Sequence, residues 1–591
     1  MKRFAIACIL LGVIAFPAAG LDLSARPIGP VHTWTVSDLA RCSPSWLEVK
    51  FVEGSNVRIE NGRFADDSGL DLAGLQRVLA TEMVLDTRPT IDHDRATLRA
   101  WKRIGEIRSG VTGPDLSLWF DIKIDGGPAA VARLVNALND LPEVEIAHPV
   151  AIPEPASIIP GVTAVPAGGD AGEDRSTTPD FTGSQGYLNN PPVGLNAPAA
   201  WTLLGGMGAG EHYIDVELCW TLNHEDFDHS KLFYVGGAAQ DPQYEPHGTA
   251  VLGETLGQHN GFGINGFAPD VNYGVVAVTV AEWPNVPQYF QEAIDHLSRG
   301  DVWLIELQMY PAGKSATPME YLQVNYDVIW TGVWARGIVC IEAGANGSQN
   351  LDDPSWNRIF DRTFRDSGAI MVAAGTPQGL IAESFTNYGS RMDVHAWGDG
   401  ITTTGYGDLY NPDHTLQRMY TAQFNGTSGA SPMVNGSALC LEGIARAYLG
   451  APLDPITLRR ILHDTGTPYH GSRIIGPRPD LAPASQAVLS LGATPESPMD
   501  AAMRAIVCPN PFHSRAEIRL DAPQGGPARV LIFDASGRRV RTLADGRAAA
   551  GQRSFLWDGT DETGRALESG VYFYRLDAGR ASGAGRIEII H

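Results

Sequence analysis

The sequence predicts an α/β protein: a parallel sheet with helices on both faces, preceded by a small α+β unit and followed by a β-sandwich. Three observations predict it. Residues 193–490 alternate short, continuous apolar runs with helical patterns, and strands that are apolar on both faces belong to a sheet covered on both sides. Residues 45–152 mix single strand-like and helix-like stretches within about one small domain's length. Residues 500–591 alternate apolar and polar side chains, broken by "SG" and "TG" turns.

The elements follow in order. "MKRFAIACILLGVIAFPAAG" puts Lys2 and Arg3 before an apolar run that ends in small residues, the pattern of a secretory signal over residues 1–20. The run is shorter than the roughly 20 apolar residues of a membrane span, and no such span follows. In the α+β unit (21–152), "SWLEVKFVE" and "LSLWFDIKID" read as strands, and "LAGLQRVLATEM" and "AAVARLVNALNDLP" as helices. Residues 153–192, rich in Pro, Gly, Ser and Thr, read as an exposed linker and processing region. Beyond it, "EHYIDVELCW", "VNYGVVAV", "DVWLIELQM", "GIVCIEAG" and "GAIMVAAG" have strand length, with helical patterns such as "VPQYFQEAIDHLSRG" between them. Residues 491–591 form the sandwich, with "ARVLIFDASGRRVRTL" and "SGVYFYRLDAG" as strand pairs.

Composition excludes some classes. A formal net charge of -23 argues against general nucleic-acid binding, which needs a basic face. The scattered cysteines left after the signal are no disulfide framework, although Cys340 and Cys440 both lie in apolar segments and a bond between them is open.

Four residues in the middle domain have the types that acyl transfer through a serine requires: a nucleophile, a base, a group to orient it, and an oxyanion donor. Ser428 follows "NGT" at the start of an apolar helix, where backbone N–H groups favour negative charge. Its small neighbours Gly426, Gly429 and Ala430 are expected to let a substrate backbone approach. His247 opens "HGTAVLGETLG", Asp215 ends the apolar run "HYI", and Asn346 follows a strand in "IEAGANG".

"HGTAV", "AGANG" and "NGTSGASPMV", in this order after an Asp, resemble the diagnostic motifs of the subtilases, the subtilisin-like serine peptidases. The resemblance covers roughly residues 179–490. It implies a subtilisin-like sheet, Ser428 as nucleophile, His247 as general base, Asp215 as the acid that holds the imidazole, and Asn346 as oxyanion donor. Its expected substrates are proteins or peptides. The family usually follows its Asp with a small residue and Gly, whereas this chain reads "DVE"; "TLNHEDF" downstream resembles the family's "HPDL" segment and supports the Asp215 register. Glu306, Leu307 and Gln308 occupy the substrate-pairing edge that usually reads Ser-Leu-Gly, which implies an altered specificity pocket. Asn435 replaces a usually small residue.

The α+β unit, most clearly "LVNALNDLPEVEIAHPVAIPEP", resembles a subtilase propeptide, which implies an intramolecular inhibitor with its tail in the substrate cleft. The tail domain resembles the Ig-like domains of hook-capping proteins and the sorting domains of type IX secretion substrates, so an export address and a spacer are both open. The whole reads as a secreted or cell-surface bacterial peptidase; a catalytically silent subtilase fold serving binding or adhesion is the competing reading, motivated by "DVE".

Cations have weaker support. "NHEDFDHS" crowds His224, Glu225, Asp226, Asp228 and His229 without the spacing of a known zinc site, and reads as a solvated acidic loop. "LDDPSWNRIFD" and "DGTDETG" lack EF-hand spacing and read as turns. No metal is assigned and no cofactor is required for catalysis; structural calcium, common in the family, has no designated residues.

Overall fold

The computed structural model describes residues 23–156, 178–281, 283–492 and most of 505–589. The signal expected over 1–20, and the part of the expected linker from 157 to 177, lie outside the described residues. The chain divides into two compact units, Met1–Gly492 and Ala493–His591.

At the centre of the first unit, a seven-stranded sheet runs Val394–Trp397, Ile370–Gly375, Val339–Ala343, Val302–Ile305, His212–Glu217, Asn272–Ala277, Leu232–Gly237, every pairing parallel. Strand parity splits its side chains between two cores. Tyr213, Leu304, Ile341 and Val372 join the cluster that holds the helices Glu245–Leu256 and Thr427–Leu449. Ile214, Val216, Trp303 and Cys340 join the opposite cluster, with the helices Val286–Asp295 and Gln323–Trp330. Cys340 and Cys440 therefore sit on opposite faces of the sheet, and both are buried free thiols.

The N-terminal segment folds as an antiparallel sheet in the order Met83–Pro89, Trp119–Asp125, Cys42–Phe51, Val144–Ala151. The helix Gly127–Asn139 packs on it through Val131, Leu134, Val135 and Leu138. The expected helix in "LAGLQRVLATEM" is shorter, Ala73–Leu79, and Met83 already begins a strand.

This segment shares a core with the seven-stranded sheet and its helices: Leu116, Trp119 and Ile146 belong to the same apolar cluster as Trp303 and Ile329. Two further contacts fix its seat. The helix Arg95–Ser109 and the loop after it bring Gly105 and Gly113 against the indole of Trp330, so close that a Cβ on Gly105 would lie 2.4 Å from the ring and one on Gly113 2.5 Å. Trp46 stacks on Trp283 at 5.0 Å, with the Arg88 guanidinium 4.2 Å from the Trp283 ring. Buried charge is paired across the same boundary: Asp327 receives Arg26 Nη1 at 3.0 Å, Trp119 Nε1 at 3.0 Å and Gln323 Nε2 at 2.8 Å.

In the second unit, two antiparallel sheets (Ala505–Cys508, Ala516–Ala522, Gly551–Trp557; and Arg539–Ala548, Gly526–Phe533, Gly570–Ala578, Ala581–Ile589) enclose Ile518, Val530, Ile532, Trp557, Tyr574 and Ile587. Burial at Val530 and Ile532, and at Ile587 and Ile589, follows the period-two alternation of a sandwich.

Candidate active site

His247 stands in the first turn of the helix Glu245–Leu256, at the C-terminal end of the sheet. Its neighbour must be glycine: a Cβ at Gly248 would lie 2.2 Å from the Cys219 carbonyl and 2.7 Å from the Trp220 ring. His247 Nδ1 lies 3.0 Å from Oε2 of Glu217, the last residue of the strand His212–Glu217. Phe424 packs against the imidazole at 5.5 Å and ends the strand that leads into the Ser428 turn. The Nε2 of His247 and the Oγ of Ser428 are both buried without a hydrogen bond.

The carboxylate beside the imidazole is thus Glu217, which corrects the expectation for Asp215. Asp215 lies two residues earlier on the same face of the strand, deeper under the helices, and its Oδ2 accepts the indole N–H of Trp220 at 2.7 Å. Burial and the neighbouring Glu217 push the Asp215 carboxyl well above the usual range, against the opposing Trp220 bond. In the sequence Asp215 ends the apolar run that begins "HYI", whereas the strand itself continues two residues further, to Glu217. In parallel sheets functional side chains collect at the strand's C-terminal end, and the full strand puts Glu217 there.

Ser428 opens the helix Thr427–Leu449, after Gly426 with φ of 95°. Gly429 serves packing and not substrate approach: a Cβ there would meet Ile401 at 2.2 Å inside the core. Asn435 faces the interior too, donating from Nδ2 to Thr255 Oγ1 at 3.2 Å and tying this helix to that of His247.

Opposite the imidazole, three chain segments converge on one oxygen. The Ala156 carbonyl accepts the Ser428 N–H at 3.1 Å and the Asn346 Nδ2 amide at 2.6 Å. Asn346 is itself oriented: its Oδ1 accepts the Thr427 N–H at 3.0 Å, and its own N–H donates to Gln308 Oε1 at 3.0 Å. The tail Glu154–Pro155 pairs antiparallel with Leu307–Met309 (Leu307 with Pro155, Gln308 with Glu154), and the Ala156 N–H donates to the Glu306 carbonyl at 3.1 Å. An extended peptide thus occupies the edge strand and ends with its carbonyl between two donors. Residues 154–156, which read as linker in the sequence, are part of the site.

Of the three residues expected to line a specificity pocket, Leu307 contributes its backbone and Gln308 holds Asn346. The Glu306 side chain departs from the expectation: it is fully buried and lies 2.6 Å from Ser431 Oγ. It also faces Asp215, Glu217 and Ser428, and burial first, then the two acids, push its carboxyl well above the usual range.

Among the described residues no group of three or more His, Cys, Asp and Glu side chains is arranged to hold a metal ion. In "NHEDFDHS", His224 Nε2 lies 3.1 Å from the Met419 carbonyl, and Asp226 accepts the Ile264 N–H at 2.8 Å, so these side chains brace loops. Asp558 and Asp561 of "DGTDETG" likewise accept N–H groups of Thr560 and Thr563 in turns. No helix of the described residues is long and apolar enough to cross a membrane.

Residues 221–476 match the family model described as the subtilase family, and residues 514–582 match the FlgD Ig-like domain. A thermophilic serine proteinase of Bacillus sp. (strain AK1) is 26% identical over 350 residues, 58% of this chain and 72% of that protein. Alkaline elastase YaB of Bacillus sp. (strain YaB) is 29% identical over 227 residues, 36% of this chain and 51% of that protein. Subtilisin BL of Lederbergia lenta is 25% identical over 286 residues, 48% of this chain and 92% of that protein. The solved structure of fervidolysin from Fervidobacterium pennivorans, described as a keratinolytic enzyme related to subtilisin, is 16% identical with a TM-score of 0.46, covering 94% of this chain and 73% of that one. The chain carries a serine-peptidase domain of the subtilase family, followed by an Ig-like domain of the FlgD type.

Proposed function

We propose that the protein is a secreted serine endopeptidase that processes itself and then hydrolyses peptide bonds through an acyl-enzyme on Ser428. The observation that carries this reading is the Ala156 carbonyl held by the Ser428 N–H and the Asn346 amide. Two donors on one carbonyl oxygen, at the N-terminus of the nucleophile's helix, form the arrangement that stabilises a tetrahedral oxyanion.

In this reading Ser428 Oγ attacks the Ala156 carbonyl carbon as His247 Nε2 takes its proton. Glu217, against Nδ1, fixes the tautomer and balances the imidazolium charge. The proton passes to the amine of Ser157, which leaves; water then enters by the same base and releases the acyl group from Ser428. No step runs through a metal or cofactor. The first substrate is the chain's own Ala156–Ser157 bond, and the seated Pro-Ala sequence supports a preference for a small residue before the cut. The cleaved segment, 21–156, keeps its shared core and stays as an inhibitor until it is degraded. The sequence pattern of residues 1–20 supports export, and the Ig-like domain serves as export address or spacer.

Intact mass of residues 21–591, as wild type and as Ser428→Ala, tests this reading. The expected wild type loses the segment ending at Ala156, begins at Ser157 and reacts with a fluorophosphonate, while Ser428→Ala stays whole and unlabelled. A folded wild type that neither cuts nor reacts overturns it in favour of a binding module.

A further inference from the structure

Glu306 has no role in the mechanism above, yet its carboxyl group lies at the centre of the site's acid side. Strand register explains the crowding. Ile305 pairs with Val216, and the Glu306 N–H donates to the Val216 carbonyl, so Glu306 and Glu217 end neighbouring parallel strands with side chains on the same face. Asp215 shares that face from two residues below. The three carboxyl groups are wholly buried, and Glu217 among them faces the imidazole of His247.

The hydrogen bonds of Ser431 decide where a proton sits. Ser431 Oγ lies 2.6 Å from the carbonyl of Thr427 and 2.6 Å from Oε1 of Glu306. A hydroxyl has one proton and the Thr427 carbonyl has none. Ser431 therefore satisfies both contacts when it donates to the Thr427 carbonyl and accepts a hydrogen bond from the O–H of a protonated Glu306.

We propose that Glu306 is a positioning residue that acts as a neutral carboxylic acid, donating to Ser431 and clamping the first turn of the Ser428 helix. Its rationale rests on the catalytic reading above. The clamp fixes the Thr427–Ser428 peptide, whose N–H is an oxyanion donor, and leaves the negative charge at Glu217, where the imidazole needs it. The groups facing Glu306 are Asp215 and Glu217 from the neighbouring strand and Ser428 and Ser431 from the helix. Ionisation of Glu306 adds a like charge against Glu217 and turns the Ser431 proton away from Thr427, so catalysis is lost on the alkaline side.

Two measurements test the inference separately from the function. Infrared difference spectra between Ser428→Ala and Ser428→Ala/Glu306→Gln at about pH 8, with carbon-13 glutamate, are expected to contain one protonated carboxylic C=O band. A difference that contains carboxylate bands in its place overturns the proposal, whether or not the enzyme is active. Should the double variant not fold by circular dichroism, Ser428→Ala/Ser431→Ala replaces it: loss of the acceptor is expected to shift that band, and an unshifted spectrum overturns the proposal. In active enzyme, kcat/KM is expected to fall about tenfold per pH unit along the alkaline limb, and Glu306→Gln to remove that limb. The same limb in both enzymes overturns the positioning role and leaves the serine-peptidase reading standing; a wild type without activity overturns that reading while the spectra still answer for Glu306.

Discussion

The two sides of the Ser428 turn differ in how well their polar groups are satisfied. On the donor side the Ser428 N–H, both ends of the Asn346 amide and the Gln308 side-chain oxygen are engaged, and the Ala156 carbonyl closes the set. On the acid side Asp215 Oδ1, Glu306 Oε2, His247 Nε2 and Ser428 Oγ are buried without hydrogen bonds. Buried polar groups left this way cost stability, and they concentrate where chemistry needs a proton to move. In the proposed reading the donor side holds the charge that arises in the reaction, and the acid side passes the proton.

Substitutions that strike one side at a time sharpen this contrast. The largest effect is expected from Glu217→Gln, which removes the charge beside Nδ1 and should lower kcat by about 10⁴ with KM little changed. Asp215→Asn, which keeps the Trp220 bond, should cost less than about tenfold; a reversal of these two results would return the orienting role to Asp215. Next comes Asn346→Ala, expected to slow Ala156–Ser157 processing by about 10²–10³ through loss of one oxyanion donor, read as the rate at which the precursor mass disappears. Trp220→Phe leaves Asp215 Oδ2 unpaired and should destabilise the fold by about 1–3 kcal/mol in denaturant unfolding of the Ser428→Ala protein.

The smallest effect is a pH trend. Burial pushes Asp226 up to about 7, Glu211 to about 7 and Glu342 to about 8. The folded state then binds more protons than the unfolded one between the ordinary carboxyl range, about 3.8 to 4.5, and about 8. These groups contribute stability that is whole below that range and is lost as pH rises through their folded values, so Tm of the Ser428→Ala protein should fall from pH 5 to pH 8. A Tm that rises across this interval would show that paired carboxylates elsewhere outweigh them.

Much of this was legible from residues alone. Five sheet strands announced themselves as apolar runs because they are buried on both faces. Leu232–Gly237 did not, since it is an edge strand whose side chains alternate between half-buried and exposed and which ends in two glycines. Val394–Trp397 is four residues long and offers too little pattern. The helix Arg95–Ser109 turns Leu98 and Trp101 to the core while Ile104 and Ile107 stay exposed, so its apolar residues do not all mark one buried face. At the site, Ser428, His247 and Asn346 stood out by their small-residue surroundings, yet the choice between Asp215 and Glu217 did not follow. Residues two apart on a strand share a face, so the pattern permits either, and only the strand's true end separates them. Residues 154–156 read as linker because their extended form comes from pairing with Leu307–Met309, a long-range contact that no local pattern encodes.

The seat of the N-terminal segment has an optical consequence. Trp330 is wedged against Gly105 and Gly113, and Trp283 is stacked under Trp46 and Arg88. In the proposed reading, departure of the N-terminal segment up to Ala156 hydrates both indoles at once and makes the protein its own fluorescent clock: a red shift of tryptophan emission would time that departure, separately from bond cleavage, with no label attached.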